Sequence, residues 1–180
     1  MRIVAGKYKA KQLFVPKGQN VRPTLERTRE ALFSILYSKG VDFTDTSVLD
    51  VFAGTGAFGF EALSRGAKKV TFVDKDTKPV LKNASLFEND KEKIRIIKAD
   101  VVNFPALNEQ FDLVFMDAPY GKGLTQIAIN ELIKKGLITD GTWFLIETSK
   151  EEPIELPSNF EKCDKRIYGI AKIEFFIYKK

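Results

Sequence analysis

The chain has 180 residues, 44% of them hydrophobic and 29% charged, which fits one domain around a single sizeable core and excludes a chain dominated by disorder. Cys163 is the only cysteine and there is no histidine, which excludes an intrachain disulfide, a cysteine metal cluster and histidine acid–base chemistry. The net charge of +5 sits at the front: residues 1–30 carry eight Lys or Arg against two Glu, and the rest of the chain stands at −1.

That basic first segment, RIVAGKYKAKQLFV, places two short β-prone stretches around Gly6 and reads as a hairpin or extended arm. Its charge suits a phosphate backbone, or else an ordinary solvated surface. It holds no continuous apolar run, so no secretory signal is expected. Nor is any run elsewhere long enough to span a bilayer, and a cytoplasmic protein without a membrane partner is the expectation. Pro23 and Thr24 then open a helix in which Leu25, Thr28, Leu32, Ile35 and Leu36 form an apolar stripe, with Gly40 as the stop. Residues 1–40 are read as a basic extension packed on a core domain of residues 41–180.

From Asp45 the rhythm changes. The strand SVLDVFAG leads to a helix through FGFEALSRG, the strand VTFVD to a helix from Thr77 toward Asn89, and IRIIKAD through a short link to FDLVFMD. A helix through LTQIAINELIKKG and the strand TWFLIET follow. Five apolar strands separated by helical patterns predict an α/β fold with a mostly parallel, doubly wound sheet. Residues 160–178 read as two strands joined near Gly169 without room for a helix, so a C-terminal antiparallel hairpin completes seven strands.

Ligands of open α/β sheets lie beyond the carboxyl ends of the strands. Those ends hold Asp50 with Gly54 and Gly56, then Asp74, Asp100 and the run Asp117-Ala118-Pro119-Tyr120, so four acidic residues are expected in one crevice. The stretch Gly54-Thr55-Gly56-Ala57-Phe58-Gly59 also fits the dinucleotide fingerprint, with Asp74 where a ribose-binding acid would stand. A nicotinamide-binding domain is therefore a competing reading. Charge separates the two, because an anionic pyrophosphate at the helix N-terminus would be opposed by Asp50. S-adenosyl-L-methionine instead carries a sulfonium and an ammonium, which suit an acidic first loop. Asp74 could then accept from both ribose hydroxyls and Asp100 from the adenine amine.

The turn at 117–120 is the sharper motif. Asp117 and the Ala118 carbonyl can accept the two hydrogens of an amine, Pro119 fixes the turn, and Tyr120 can stack on a base plane. A plain strand-ending turn with a surface tyrosine is the alternative.

Four stretches resemble one known family. They are Arg22-Pro23-Thr24-Leu25-Glu26-Arg27-Thr28-Arg29-Glu30-Ala31-Leu32-Phe33, Asp50-Val51-Phe52-Ala53-Gly54-Thr55-Gly56, Phe72-Val73-Asp74 and Asp117-Ala118-Pro119-Tyr120. The resemblance, over nearly the whole chain, is to class I S-adenosylmethionine methyltransferases of the RsmD type, which modify a guanine N2 in bacterial 16S ribosomal RNA. It implies a Rossmann-like class I fold and a cofactor held by Asp50, Phe52, Ala53, Gly54, Thr55, Gly56, Asp74, Lys75, Asp100, Val101 and Asp117. It also implies an acceptor amine held at Asp117, Ala118, Pro119 and Tyr120. Ala118 replaces the first proline of the family's Asp-Pro-Pro-Tyr, which loosens one torsion and keeps the carbonyl.

The implied partner is 16S rRNA within a small-subunit assembly intermediate. Lys7, Lys9, Lys11, Arg22 and Arg27 are the expected RNA contacts, although Arg22 and Arg27 could instead pair with Glu26 or Glu30. No metal is expected, since the sulfonium is already activated. Adenine-N6 and protein-glutamine methyltransferases share the Asp-X-Pro-Tyr cradle and stay open as alternatives, as does a non-catalytic RNA-binding protein of this fold.

Overall fold

The computed structural model describes residues 1–16 and 23–180. After helix α1 (Pro23–Ser38), strand β1 (Ser47–Val51) leads through α2 (Ala57–Ser64) to β2 (Lys69–Asp74), and α3 (Lys78–Ala84) leads to β3 (Ile94–Lys98). The chain then returns to β4 (Phe111–Asp117), passes through α4 (Leu124–Lys134) to β5 (Ile138–Ser149), and ends in β6 (Phe160–Tyr168) and β7 (Ala171–Tyr178). The strands form one sheet in the order β3-β2-β1-β4-β5-β7-β6. The first five run parallel, and β7 lies antiparallel between β5 and β6. Only Gly169 and Ile170 separate β6 from β7, so no crossover fits and the pair must turn back on itself.

Alternation along the strands gives the sheet two buried faces. Val48, Val70, Phe72 and Leu113 point toward α1, α2 and Val80 of α3, while Leu49, Val51, Val73 and Met116 point toward α4. Because β2 and β3 extend the sheet on one side of β1 and β4 starts the other side, the strand order reverses between β1 and β4. A crevice opens at their carboxyl ends.

The N-terminal segment is no loose arm. Residues 1–13 fold into a short hairpin-like loop with one ladder bridge, Arg2 to Gln12, and Ile3, Tyr8 and Leu13 are buried in the core. It lies along α2, where the Lys7 N–H donates to the Ser64 carbonyl at 2.7 Å. Gly6 has φ +83°, and a Cβ there would stand 1.9 Å from the Ser64 carbonyl oxygen, so only glycine allows this approach.

Buried Glu61 of α2 binds the loop to the helix layer, accepting from the N–H groups of Val4 (2.8 Å) and Ala5 (3.0 Å). It also pairs with Arg29 of α1 (3.3 Å) and with Arg65 (2.9 Å). This turns the buried face of α1 from its expected direction. Arg29, Leu32, Phe33 and Leu36 are buried, Thr28 and Ile35 only half so, and the Leu25 side chain lies outside the described residues. The guanidinium of Arg29 follows its Glu61 partner inward, and its aliphatic stem covers apolar surface.

The helix expected from Thr77 toward Asn89 is also shorter. It ends at Ala84 and continues as 3₁₀ turns over Ser85–Lys93, broken where Phe87 (φ −119°) and Asp90 (φ −131°) leave helical geometry. Both departures have a cause. Phe87 stacks on Phe60 with ring centroids 4.5 Å apart, and Asp90 accepts from Lys7 (2.8 Å) and Tyr8 (2.7 Å). Tertiary contacts thus outweigh helix propagation.

Candidate active site

Two adjoining clefts occupy the crevice, sharing Phe52, Asp117 and Tyr120. The smaller, about 410 Å³, runs between the ends of β2 and β3 and is lined by Asp74, Lys75, Asp100 and Val101, with Ala118 and Pro119 on its far wall. The larger, about 710 Å³, is lined by Asp50 and by Ala53, Gly54 and Thr55 of the glycine loop. Thr28 and Arg29 of α1, Glu147 of β5 and the hairpin tip Tyr168–Ile170 close it.

The loop between β1 and α2 is shaped by backbone constraint. The N–H groups of Phe52 (2.9 Å) and Ala53 (3.2 Å) both donate to the Val73 carbonyl, holding Phe52 at φ 64°. A bulky residue in the left-handed region is strained, and such strain persists only where the surroundings enforce it. Its consequence is that one ring borders both clefts. Gly56 caps α2 at φ 76° and lines neither cleft, because a Cβ there would meet Phe60 at 2.6 Å and Val80 at 2.8 Å. Gly59 lets α2 lie close on the sheet, since its Cβ would meet the Phe72 ring at 2.3 Å.

The crevice gathers negative charge. Asp50 is 2% exposed and accepts from the Gly59 N–H at 3.0 Å. Burial, with Asp117 and Asp74 nearby, pushes its carboxyl well above the usual range. Asp74 spends one oxygen on the Gly54 N–H (2.8 Å) and the other on the Asp76 N–H (2.9 Å). Asp117 is open to the water of the cleft yet walled by protein elsewhere. Desolvation and then the charge of Glu147 push its carboxyl up to about 7. Glu147 stands directly across from Asp117 in the β4–β5 register and is itself raised by burial. The Tyr120 hydroxyl donates to Glu147 Oε1 at 3.2 Å, and desolvation followed by the adjacent acids raises its phenol.

Asp100 behaves differently. It is paired with Lys75 at 2.8 Å and receives the Val102 N–H at 3.2 Å, and these contacts, Lys75 first, hold its carboxyl below the usual value. Among the described residues, none of Asp50, Asp74, Asp117 and Glu147 is paired with a lysine or arginine. Arg29, which lines the larger cleft, is committed to Glu61.

The strand-end residues named from sequence therefore meet in one crevice, Gly56 excepted. The basic residues do not join them. Lys7 pairs with Asp90, Lys11 donates to the Leu86 carbonyl (2.8 Å), Lys9 and Arg27 are exposed, and Arg22 lies outside the described residues. Glu26 receives Arg2 rather than Arg27. Three features were missed. Glu147 stands next to last in the stretch TWFLIET, close enough to its end for the strand-end rule already applied to the other four. Arg29 lies three and four residues before Leu32 and Phe33, so helical spacing assigns it to the same face. Nothing local marks Tyr168–Ile170 as a wall of the cleft.

The model of the family described as conserved hypothetical protein 95 matches residues 1–177. The chain is 32% identical to ribosomal RNA small subunit methyltransferase D of Haemophilus influenzae, over 98% of this chain and 93% of that protein. It is 30% identical to the protein of the same name from Escherichia coli strain K12, over 100% of this chain and 90% of the other. The solved structure of Escherichia coli yhhF superposes with a TM-score of 0.87 at 29% identity, covering 99% of this chain and 98% of that one. With the sheet order and the antiparallel β7, this fixes the fold as the Rossmann-like class I methyltransferase fold. The chain belongs to the ribosomal RNA small subunit methyltransferase D family.

Proposed function

We propose that this protein transfers a methyl group from S-adenosyl-L-methionine to an exocyclic base amine, the guanine N2 of 16S rRNA in the small ribosomal subunit. The observation that carries the reading is one crevice with two halves: carboxylates without a cationic partner, and the Asp117-Ala118-Pro119-Tyr120 turn, whose Asp117 and Tyr120 line both halves.

The residues present fit the cofactor. A pyrophosphate would meet Asp50, Asp74 and Asp117 as like charges, whereas a sulfonium and an ammonium relieve the repulsion from Asp117 and Asp74 that adds to burial in raising Asp50. Asp74 would hold the ribose hydroxyls through the lone pairs its two loop contacts leave unused. Phe52 and Val101 supply apolar walls for the adenine, with Lys75 and Asp100 as the rim. Gly54 and Thr55, with Ala53 beneath, would border the methionine half. Bound there, the cofactor supplies an electrophilic methyl on a cationic sulfur.

The remaining chemistry belongs to the chain. An amine conjugated to a base ring is a poor nucleophile, and acceptors on both its hydrogens localise its lone pair and stabilise the charge that develops on nitrogen. Asp117 and the Ala118 carbonyl are those acceptors, Pro119 holds the turn, and Tyr120 gives the base a stacking surface anchored through its hydroxyl. Positioning in line with the methyl replaces nucleophilic activation, so no histidine is needed. The substrate would be a small-subunit assembly intermediate, met in the cytoplasm; among the described residues no helix is long and apolar enough to cross a membrane.

The test is mass mapping of methylated nucleosides in ribosomal RNA from cells lacking the protein. Loss of a single N2-methylguanosine from 16S rRNA is expected. A full set of 16S methylations in those cells would overturn the reading.

A further inference from the structure

Asp117, the last residue of β4, and Glu147, two residues before the end of β5, present two carboxyl groups side by side, in direct register and on the wall of the same cleft. Glu147 has one described partner, the Tyr120 hydroxyl on Oε1, and no described group donates to its Oε2. An acceptor therefore faces the cleft next to the one assigned to the target amine.

The order of donors and acceptors on a base edge decides what such a pair can hold. Guanine offers two neighbouring donors, the N2 amine and N1–H. Adenine and cytosine follow their amine with a ring nitrogen bearing a lone pair. Two adjacent carboxylates match the first pattern and repel the second. We infer that Glu147 is the specificity-determining residue for guanine, accepting N1–H while Asp117 and the Ala118 carbonyl hold the N2 amine. The inference rests on the base-amine reading above and extends it to a residue that reading does not use. No covalent step is added, because Glu147 only accepts a hydrogen bond.

A second role for Glu147, fixing Tyr120, predicts a different result, and Glu147→Gln separates the two. The glutamine carbonyl still accepts from Tyr120, while its amide can turn NH₂ toward a lone pair. The probe is 2-aminopurine, which keeps the N2 amine of guanine and replaces N1–H by a lone pair. Small-subunit particles carrying guanosine or 2-aminopurine at the methylated position are offered to both proteins with S-adenosylmethionine.

Wild type should favour guanosine on the order of 100-fold, as a carboxylate facing the wrong edge costs, and Glu147→Gln should bring the ratio below about 10-fold. Quenching of 2-aminopurine fluorescence on entry beside Tyr120, read without turnover, should be stronger with the variant. An equal guanosine preference in the two proteins, or no preference in wild type, would overturn the inference while leaving the base-amine reading intact. Failure of wild type to methylate guanosine would instead sink that reading itself.

Discussion

Asp74 binds its own loop before it binds anything else, since the N–H groups of Gly54 and Asp76 already occupy one lone pair on each oxygen. Asp74→Ala should therefore weaken S-adenosylmethionine by losing the ribose contacts and by releasing the glycine loop. A loss of about 1–3 kcal/mol in calorimetry is expected, and unchanged affinity would take Asp74 out of the site. Asp117→Ala should lose methyl transfer even when the cofactor site is filled, which single-turnover assays at saturating cofactor read apart from any change in cofactor affinity.

Because Asp117 offsets the charge that develops on the amine only when ionised, and its carboxyl is pushed up to about 7, single-turnover rates in wild type should climb as pH rises through that value. A flat profile from pH 6 to 8 would show that its ionisation does not limit the step. At this scale the sequence was informative where a carboxylate ends a strand. Asp50, Asp74, Asp100 and Asp117 were legible for that reason, and Glu147 obeys the same rule. The ion pair of Asp100 with Lys75 was not legible, because its partner comes from the end of another strand.

Helix α2 joins the site to the N-terminal loop. Its start is the glycine turn of the crevice, and near its far end Glu61 and Ser64 hold residues 4–8. Glu61→Ala would leave Arg29 and Arg65 with buried, unpaired charge and two loop N–H groups without acceptors. A loss of about 3–5 kcal/mol in chemical denaturation is the expected scale for breaking such a pair. Glu61→Gln should recover part of it by keeping an acceptor.

The same geometry revises the expected RNA contacts. The loop tip with Lys7 and Lys9 lies about 12 Å from the glycine turn, one length of the eight-residue helix away. We propose that these lysines meet RNA flanking the target nucleotide. Replacing Lys7, Lys9 and Lys11 by Gln should flatten the salt dependence of RNA binding, with Lys7 contributing least because Asp90 already neutralises it. Parallel log–log lines for wild type and variant would exclude phosphate contact. The elements themselves were legible from periodicity, but helix boundaries were not. What ends α3 and rotates α1 is the demand of Asp90, Phe87 and Glu61 for partners distant in sequence.

Across the whole molecule, two groups of carboxylates pull stability in opposite directions with pH. Burial alone would raise Asp90, but hydrogen bonds from Lys7, Tyr8 and Lys93 outweigh it and leave the carboxyl at about 2, against 3.8 unperturbed. That contribution is complete above the unfolded value and is lost as pH falls from about 4 toward 2. Asp50, Asp117 and Glu147 have the opposite sign. Their folded forms keep protons that the unfolded chain has released, so each loses stability as pH rises above its unfolded value of about 4, and for Asp117 this loss runs through about 7. Melting temperatures should fall between pH 5.5 and pH 8, and Asp117→Asn should narrow that gap; an unchanged gap would remove Asp117 from the account. The sheet order could be anticipated because five apolar strands with intervening helices leave few topologies. Which of these acids are pushed up and which down could not, since burial and partners are properties of the assembled fold.

A crevice in which the carboxyl of Asp117 is pushed up to about 7 also makes ligand capture a chemical exchange with the buffer. When a cation enters, the carboxyls beside it ionise more readily, and hydrogen ions must be expelled into solution as the complex forms. The heat of S-adenosylmethionine binding near pH 7 should then differ between two buffers in proportion to their ionisation enthalpies. S-adenosylhomocysteine, whose sulfur is neutral, should expel fewer. Equal release by the two would mean that the acids sense the ammonium alone, and the product would leave the crevice no less attracted than the cofactor that entered it.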